Sequence, residues 1–264
     1  MRVADALAAC GIDAREARIL LAEASGLSQA SLLAHPERAL PADVEVRFRA
    51  HAERRRAGEP VAYILGRREF YGLDFAVDRA VLIPRPETEL LVELALERRP
   101  RTVLDLGTGS GAIAIAIKRQ LPGARVVAVE SSAAALAVAR RNAVALGAEI
   151  DLRQGEWFGV VEGERFDLVV SNPPYVARDD PHLAQGDLRF EPASALISGA
   201  DGLDAIRAIV RDAPRYLAPR GWLLLEHGAG QDPAVRMLMA DVGLGTVSTW
   251  PDLAGIARVT GGKV

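Results

Sequence analysis

The chain has 264 residues, half of them apolar and a quarter charged, with a formal net charge of −3. That length accommodates one large and one small domain with a sizeable core, and so balanced a charge excludes a disordered chain and argues against a general nucleic-acid binder, which carries a basic excess. A single cysteine, Cys10, excludes an internal disulfide and suits a cytoplasmic protein, and four scattered histidines (His35, His51, His182 and His227) give no metal-ligand spacing, so no metal is expected.

The N-terminal stretch MRVADALAACGIDAREAR is broken by Asp5 and Asp13 and lacks the apolar run of a signal peptide. No window approaches the roughly 20 apolar residues that cross a bilayer. Residues 1–65 predict short helices: Ala6, Leu7, Ala9 and Cys10 make one apolar face, Ile19, Leu20, Leu21 and Ala24 another, with breaks at Gly11, Gly26 and Pro36. A longer helix follows Pro41 and runs to Gly58. No strand signal occurs here, so a small helical bundle is expected. Arg47, Arg49, Arg54, Arg55 and Arg56 do not share one face of that helix, and a solvated surface is the expected role; direct nucleic-acid binding is not.

Residues 66–84 change character. Phe70–Val77 and Val81–Ile83 are aromatic or β-branched and separated by turn residues, which predicts a β-hairpin linking two domains. Pro84-Arg85-Pro86 ends it, and Glu87–Arg99 predicts a helix with acids early and arginines late. From residue 102 strands and helices alternate. Strands are expected at Thr102–Leu106, Arg125–Glu130, Glu149–Arg153, Phe166–Ser171, Trp222–His227, Thr246–Trp250 and Ile256–Thr260. Helices are expected at Ala112–Gln120, Ala133–Leu146, Leu203–Leu217 and Pro233–Val242. This alternation implies an α/β domain over 85–264 with a parallel sheet covered on both faces. The last two strands are too close for an intervening helix and should pair as a hairpin at one end, making the sheet mixed.

Two turns in this region carry chemistry. Asp105-Leu106-Gly107-Thr108-Gly109-Ser110-Gly111 joins a buried strand to a helix, and glycines there let the backbone approach a ligand closely. Glu130 ends the next strand, where a carboxylate can accept from both ribose hydroxyls of a nucleoside. The glycines alone also satisfy a dinucleotide fingerprint. Asp105 tips the balance, because a carboxylate there is poorly suited to a pyrophosphate but can attract the ammonium or sulfonium end of S-adenosyl-L-methionine; it could instead be a capping acid that orders the loop. In Gly155-Glu156-Trp157-Phe158, Glu156 and Trp157 could hold an adenine by its amino group and by stacking, or Trp157 could be a core aromatic.

The second turn, Asn172-Pro173-Pro174-Tyr175, follows the fourth strand. An amide or aromatic amine nitrogen is a poor nucleophile because its lone pair is delocalised. The Asn172 side-chain oxygen and the Pro173 carbonyl can each accept from such an NH₂ group, orienting it and stabilising the positive charge that develops during methyl transfer. The prolines stiffen the turn, and Tyr175 offers a ring against which a planar group can stack.

With these residues together, the chain resembles the PrmC/HemK family of release factor glutamine methyltransferases over nearly its whole length. The likeness runs through Leu82–Glu89, Leu104–Ile113, Ser171–Tyr175, Arg189–Pro192, Leu225–Gly228, Asp252–Gly255 and Arg258-Val259. The resemblance implies a seven-stranded Rossmann-like class I S-adenosyl-L-methionine-dependent methyltransferase domain behind a small N-terminal helical domain that binds the release factor. It implies methylation of the glutamine N5 in the Gly-Gly-Gln motif of bacterial class 1 peptide chain release factors by a cytoplasmic, monomeric enzyme. Cofactor contacts carried over are Gly107, Thr108, Gly109, Ser110, Gly111, Glu130, Trp157 and Asn172; substrate contacts are Asn172, Pro173, Pro174 and Tyr175. The family usually has Asp at position 130 and often at 156, so this chain adds one methylene at each. For Arg85 and Arg189-Phe190-Glu191 a substrate-proximal or loop-ordering role and a structural salt bridge are equally open. Rival expectations are a DNA adenine methyltransferase, disfavoured by charge and compact size, a ribosomal RNA or ribosomal protein methyltransferase, separated mainly by the N-terminal region and Ile83–Pro86, and a dehydrogenase, disfavoured by Asp105 and the tetrapeptide.

Overall fold

The structure, a computed structural model, covers residues 1–264. It divides into two compact units, one of Met1–Arg67 with His182–Phe190, the other of Arg68–Pro181 with Glu191–Val264. The first division falls two residues from the expected end of the helical region, and the hairpin belongs to the second unit instead of forming a separate linker.

The first unit contains α1 (Val3–Ala9), α2 (Ala14–Ser25), α3 (Gln29–Ala34), α4 (Ala42–Arg56) and α5 (Val61–Leu65). Helix α2 starts at Asp13, whose carboxylate accepts from the backbone N–H of Arg15 at 2.8 Å and of Glu16 at 3.1 Å, and stops at Gly26 in the left-handed conformation. Its Ala17, Leu20, Leu21 and Ala24 are buried at helical spacing, and Val44, Phe48 and Ala52 of α4 join them in one core. Several of the five arginines hold the unit together: Arg55 pairs with Glu16 at 2.7 Å and with Asp187 at 2.9 Å, Arg54 pairs with the buried Glu59 at 2.7 Å, and Arg47 donates to the Ala24 carbonyl at 3.0 Å. Arg189 donates to the Ala57 carbonyl at 3.1 Å, so two arginines bring His182–Phe190 into this unit. Such a tie between residues 132 apart leaves no periodicity to find in sequence.

The second unit opens with a two-stranded sheet, β1 (Arg67–Phe70) and β2 (Leu73–Ala76). Tyr71 and Gly72 both take positive φ, as a tight type I′ turn demands. The expected strand at Val81–Ile83 does not form. Val81 and Ile83 are buried, but the Ile83 N–H donates to the Glu191 carboxylate at 3.3 Å instead of to a neighbouring strand. The helix expected from Glu87 is a 3-10 turn over Pro86–Thr88 followed by α6 (Glu89–Glu97).

The remaining elements are β3 (Thr102–Leu106), α7 (Ala112–Gln120), β4 (Arg125–Glu130), α8 (Ala133–Ala145), β5 (Asp151–Gln154), β6 (Phe166–Ser171), α9 (Asp204–Tyr216), β7 (Leu217–Glu226), α10 (Asp232–Asp241), β8 (Gly245–Pro251) and β9 (Ala257–Lys263). The seven-stranded sheet has the order β5-β4-β3-β6-β7-β9-β8, parallel from β5 to β7, with β9 antiparallel to both neighbours. The expected edge hairpin is therefore present, with the last strand inserted inside β8. Val103, Leu168 and Val170 pack with α6 and α7 on one face; Leu104, Leu106 and Val169 pack with α9 and α10 on the other. Strand order, running outwards from β3 to β5 on one side and from β6 to β7 on the other, reverses between β3 and β6, the place where open α/β sheets bind ligands.

Candidate active site

Strand register assembles the site. Leu106 of β3 lies opposite Val129 of β4 and Ser171 of β6, and Glu130 lies opposite Gln154 of β5. The turns beginning at Gly107, Ser131, Gly155 and Asn172 therefore emerge side by side at one sheet edge. The Ser171 hydroxyl donates to the Leu106 carbonyl at 2.6 Å and ties the two central strand ends together.

A cavity of about 270 Å³ opens there. Its walls include Gly107, Thr108, Gly109, Ser110, Glu130, Trp157, Asn172 and Pro174 of the residues singled out in sequence. Gly111, Pro173, Tyr175 and Asp105 do not reach its wall. Gly111 caps α7 at φ +84°, where an added Cβ would meet Ile115 at 3.0 Å and Ala139 at 3.4 Å, so its small size serves helix packing. Gly109, at φ +56°, has nothing within 4 Å of an added Cβ: the open side of this glycine is the cavity itself.

Asp105 is fully buried beneath the loop and accepts from the Thr108 hydroxyl at 2.6 Å, while its other oxygen has no partner. Burial pushes its carboxyl up to about 7, the Thr108 hydrogen bond opposes the rise and the charge of Glu130 adds to it. This geometry is that of an acid ordering the loop. The unpartnered oxygen lies close behind the loop rather than in the cavity wall. Glu130 spans the loop: it accepts from the Gly109 N–H and from the Ser132 N–H, each at 2.9 Å. The Ser131 hydroxyl adds a longer contact to the same carboxylate at 3.5 Å, so three of its roughly four lone-pair positions are engaged within the chain and one remains for a ligand. Trp157 lies at the wall with φ +46°, its ring 3.7 Å from where a Gly107 Cβ would sit, and also packs against the core under the sheet.

The Asn172 Nδ2 donates to the Thr88 hydroxyl at 3.1 Å, which turns Oδ1 away from Thr88 with no hydrogen bond of its own. Behind it the turn is braced: Gln231 donates to the Tyr175 carbonyl at 3.0 Å and accepts from the Gly228 N–H at 2.8 Å. The Tyr175 hydroxyl is directed away from the cavity and donates to Glu226 at 3.3 Å. Burial and the adjacent Glu226 charge raise its pKa, so the phenol stays neutral. Glu226 is itself buried; burial lifts its carboxyl to about 7, and the Thr88 and Tyr175 hydroxyls and Arg258 pull it back.

Two parts of the site, Thr88 and Asn142, escaped sequence reasoning, and a third, the Arg85–Glu191 pair, is one of the alternatives the sequence left open. Thr88, 4% exposed, lines the cavity from the 3-10 turn. Arg85 forms an ion pair with the buried Glu191, joining two stretches of the cavity wall, Pro84-Arg85 and Pro192–Ala195. Asn142 of α8, 1% exposed, donates to the Ser110 carbonyl at 2.8 Å and to the Ala76 carbonyl at 3.0 Å and accepts from the Ala76 N–H at 2.8 Å. The available signal for Asn142 was a polar residue on the buried face of an alanine-rich helix.

Two family models match the chain, the PrmC N-terminal domain over residues 2–66 and the methyltransferase small domain over residues 86–195. A release factor glutamine methyltransferase of Xylella fastidiosa (strain Temecula1) is 52% identical over 257 residues, covering 96% of this chain and 94% of that protein. One of Burkholderia pseudomallei is 50% identical over 272 residues, covering 99% and 95%. Among solved structures, the T. thermophilus 16S rRNA N2 G1207 methyltransferase in complex with AdoMet and guanosine superposes with a TM-score of 0.54 at 24% identity, covering 75% of this chain and 49% of that one, a likeness of fold.

Proposed function

The chain belongs to the release factor glutamine methyltransferase family, and from that premise we propose that it transfers a methyl group from S-adenosyl-L-methionine to the N5 amide nitrogen of the glutamine in the Gly-Gly-Gln motif of bacterial class 1 peptide chain release factors. The enzyme is a methyltransferase and S-adenosyl-L-methionine is its cofactor. When bound, that cofactor supplies an electrophilic methyl on a positively charged sulfur.

The cavity fits this group: the glycine loop is open on its ligand side, Glu130 keeps a lone pair for a hydroxyl, and Trp157 offers a ring face. Gly107, Thr108, Gly109, Ser110, Glu130, Trp157 and Asn172 are assigned to hold it. Asp105 supports the loop from behind, its charge favouring a cationic ligand once it ionises. One observation carries the acceptor side: Asn172 lines the cavity with its amide nitrogen tied to Thr88 and its oxygen uncommitted. That oxygen accepts from an N–H bond of the incoming amide, orienting the nitrogen for in-line attack on the methyl carbon and stabilising positive charge as the N–C bond forms and the S–C bond breaks. No side-chain base acts first, since the amide proton becomes acidic only after the methyl has moved. Pro174 stiffens the turn and Tyr175 anchors it from behind through Glu226. The helical unit over residues 1–67 is assigned to release-factor recognition, and the work is placed in the cytoplasm, where translation ends.

The experiment supplies radiolabelled S-adenosyl-L-methionine with a release factor, its Gln→Ala variant at the Gly-Gly-Gln motif, and duplex DNA in parallel. Label on the intact release factor alone is expected. Equal label on the Gln→Ala variant, or label on DNA, overturns the assignment.

A further inference from the structure

An asparagine amide has two orientations of nearly equal shape, related by a half turn about its last bond, and only one presents oxygen. An amide acceptor offers N–H donors, so an Asn172 that pointed Nδ2 into the cavity would set donor against donor. Something must choose the orientation, and neither the prolines nor the strand can do so, because both fix only the backbone. The one side chain bonded to the Asn172 amide is Thr88, 84 residues earlier, at 3.1 Å.

A threonine hydroxyl can donate or accept, which by itself leaves the choice open. Its surroundings close it. Thr88 is buried at the end of the 3-10 turn. Thr88 stands beside the Glu226 carboxyl, whose Oε1 accepts from Tyr175 at 3.3 Å and whose Oε2 is buried with no hydrogen-bond partner. A carboxylate oxygen in that position is the strongest available sink for the single Thr88 proton. A Thr88 proton turned to that oxygen leaves the Thr88 oxygen free to accept, and the donor it meets at 3.1 Å is the Asn172 Nδ2–H.

We propose that Thr88 is a positioning residue for methyl transfer: its proton is turned to Glu226, its oxygen takes the Asn172 Nδ2–H, and Asn172 is thereby held with Oδ1 towards the acceptor nitrogen. This rests on the assignment of Asn172 as an acceptor of the substrate amide, and wild-type labelling of the release factor tests that assignment separately. Thr88 touches neither reacting atom, so its effect passes through Asn172 alone.

The test compares Thr88→Val, Thr88→Ser, Asn172→Ala and the Thr88→Val/Asn172→Ala double variant, by steady-state methylation of the release factor and by calorimetric titration of S-adenosylhomocysteine. Valine keeps the shape of threonine and removes the oxygen. Its kcat should fall at least about tenfold, with cofactor affinity and the release-factor KM each within about threefold of wild type. Serine, which keeps the oxygen, should restore most of the lost kcat. Asn172→Ala should lower kcat at least about 100-fold, and adding Thr88→Val to it should change kcat less than about twofold, because the interaction it removes is already gone. A thermal melt of each variant confirms that it is folded. Unaltered kcat in Thr88→Val, a serine variant as impaired as the valine one, or losses that multiply in the double variant would each overturn the proposal. A wild-type enzyme that leaves the release factor unlabelled would instead overturn the assigned function.

Discussion

Single side chains at this site are chosen by how many bonds they can make at once. Glu130 shows it: one carboxylate reaches the Gly109 and Ser132 N–H groups, and the extra methylene relative to aspartate supplies the length to span from a strand end to the loop. Gly109 is the counterpart, a residue chosen for what it lacks. Its φ of +56° is unfavourable for a β-branched side chain, and the space beside its Cα is the cavity. Gly109→Val should therefore act twice, through backbone strain of about 1–3 kcal/mol and by filling the ligand's place. Cofactor affinity measured by calorimetry should fall at least about tenfold, and an unchanged affinity would show that the loop is not the binding surface. Asp105 could be noticed in sequence as a charge inside an apolar strand. Its direction could not, because the bond to Thr108 depends on how the loop folds back over the strand.

At the scale of elements, register does the assembly and a few cross-ties preserve it. The strands β3, β4 and β6 were legible residue for residue, since buried parallel strands are continuous apolar runs bounded by turn residues. Val81–Ile83 carried the same signal and forms no strand, because apolar β-branched residues indicate burial and only a neighbouring edge makes a ladder. Strand β7 begins at Leu217, five residues before the expected start, pairing with Phe166 across an irregularity that no alternation pattern encodes. Asn142 is the cross-tie with the widest reach, joining α8 to β2 and to the glycine loop. Asn142→Ala should cost about 2–3 kcal/mol of stability, since it strands one buried and two partly buried backbone groups. Because one of those is the Ser110 carbonyl, cofactor affinity should weaken about fivefold as well. Urea unfolding and calorimetry check the two effects; a stability loss with no change in affinity would separate Asn142 from the loop.

For the whole molecule, two buried acids set a pH dependence opposite to that of surface ion pairs. Asp105 and Glu226 ionise near 7 in the folded chain, against 3.8 and 4.5 for their ordinary values. Between those limits the folded state binds protons that the unfolded chain has released. Their contribution is therefore greatest in acid and is lost as pH rises towards and through 7. Asp105→Asn, which stays neutral, should match wild type in melting temperature near pH 5 and exceed it by at least about 2 °C at pH 8. Parallel melting curves across that range would show that Asp105 does not ionise in the folded protein.

The sequence by itself determined the order of strands and helices, the two chemically loaded turns and the family, because periodicity, glycine spacing and a rigid Asn-Pro-Pro-Tyr turn are local properties of the chain. Only the tertiary structure decided which of those residues face the cavity, that Asp105 and Tyr175 stand behind its wall, and that Thr88, Asn142 and the Arg85–Glu191 pair complete it. The reason is physical: a hydrogen bond between residues far apart in the chain has no period and no composition, and exists only once packing has brought its donor and acceptor within about 3 Å of each other.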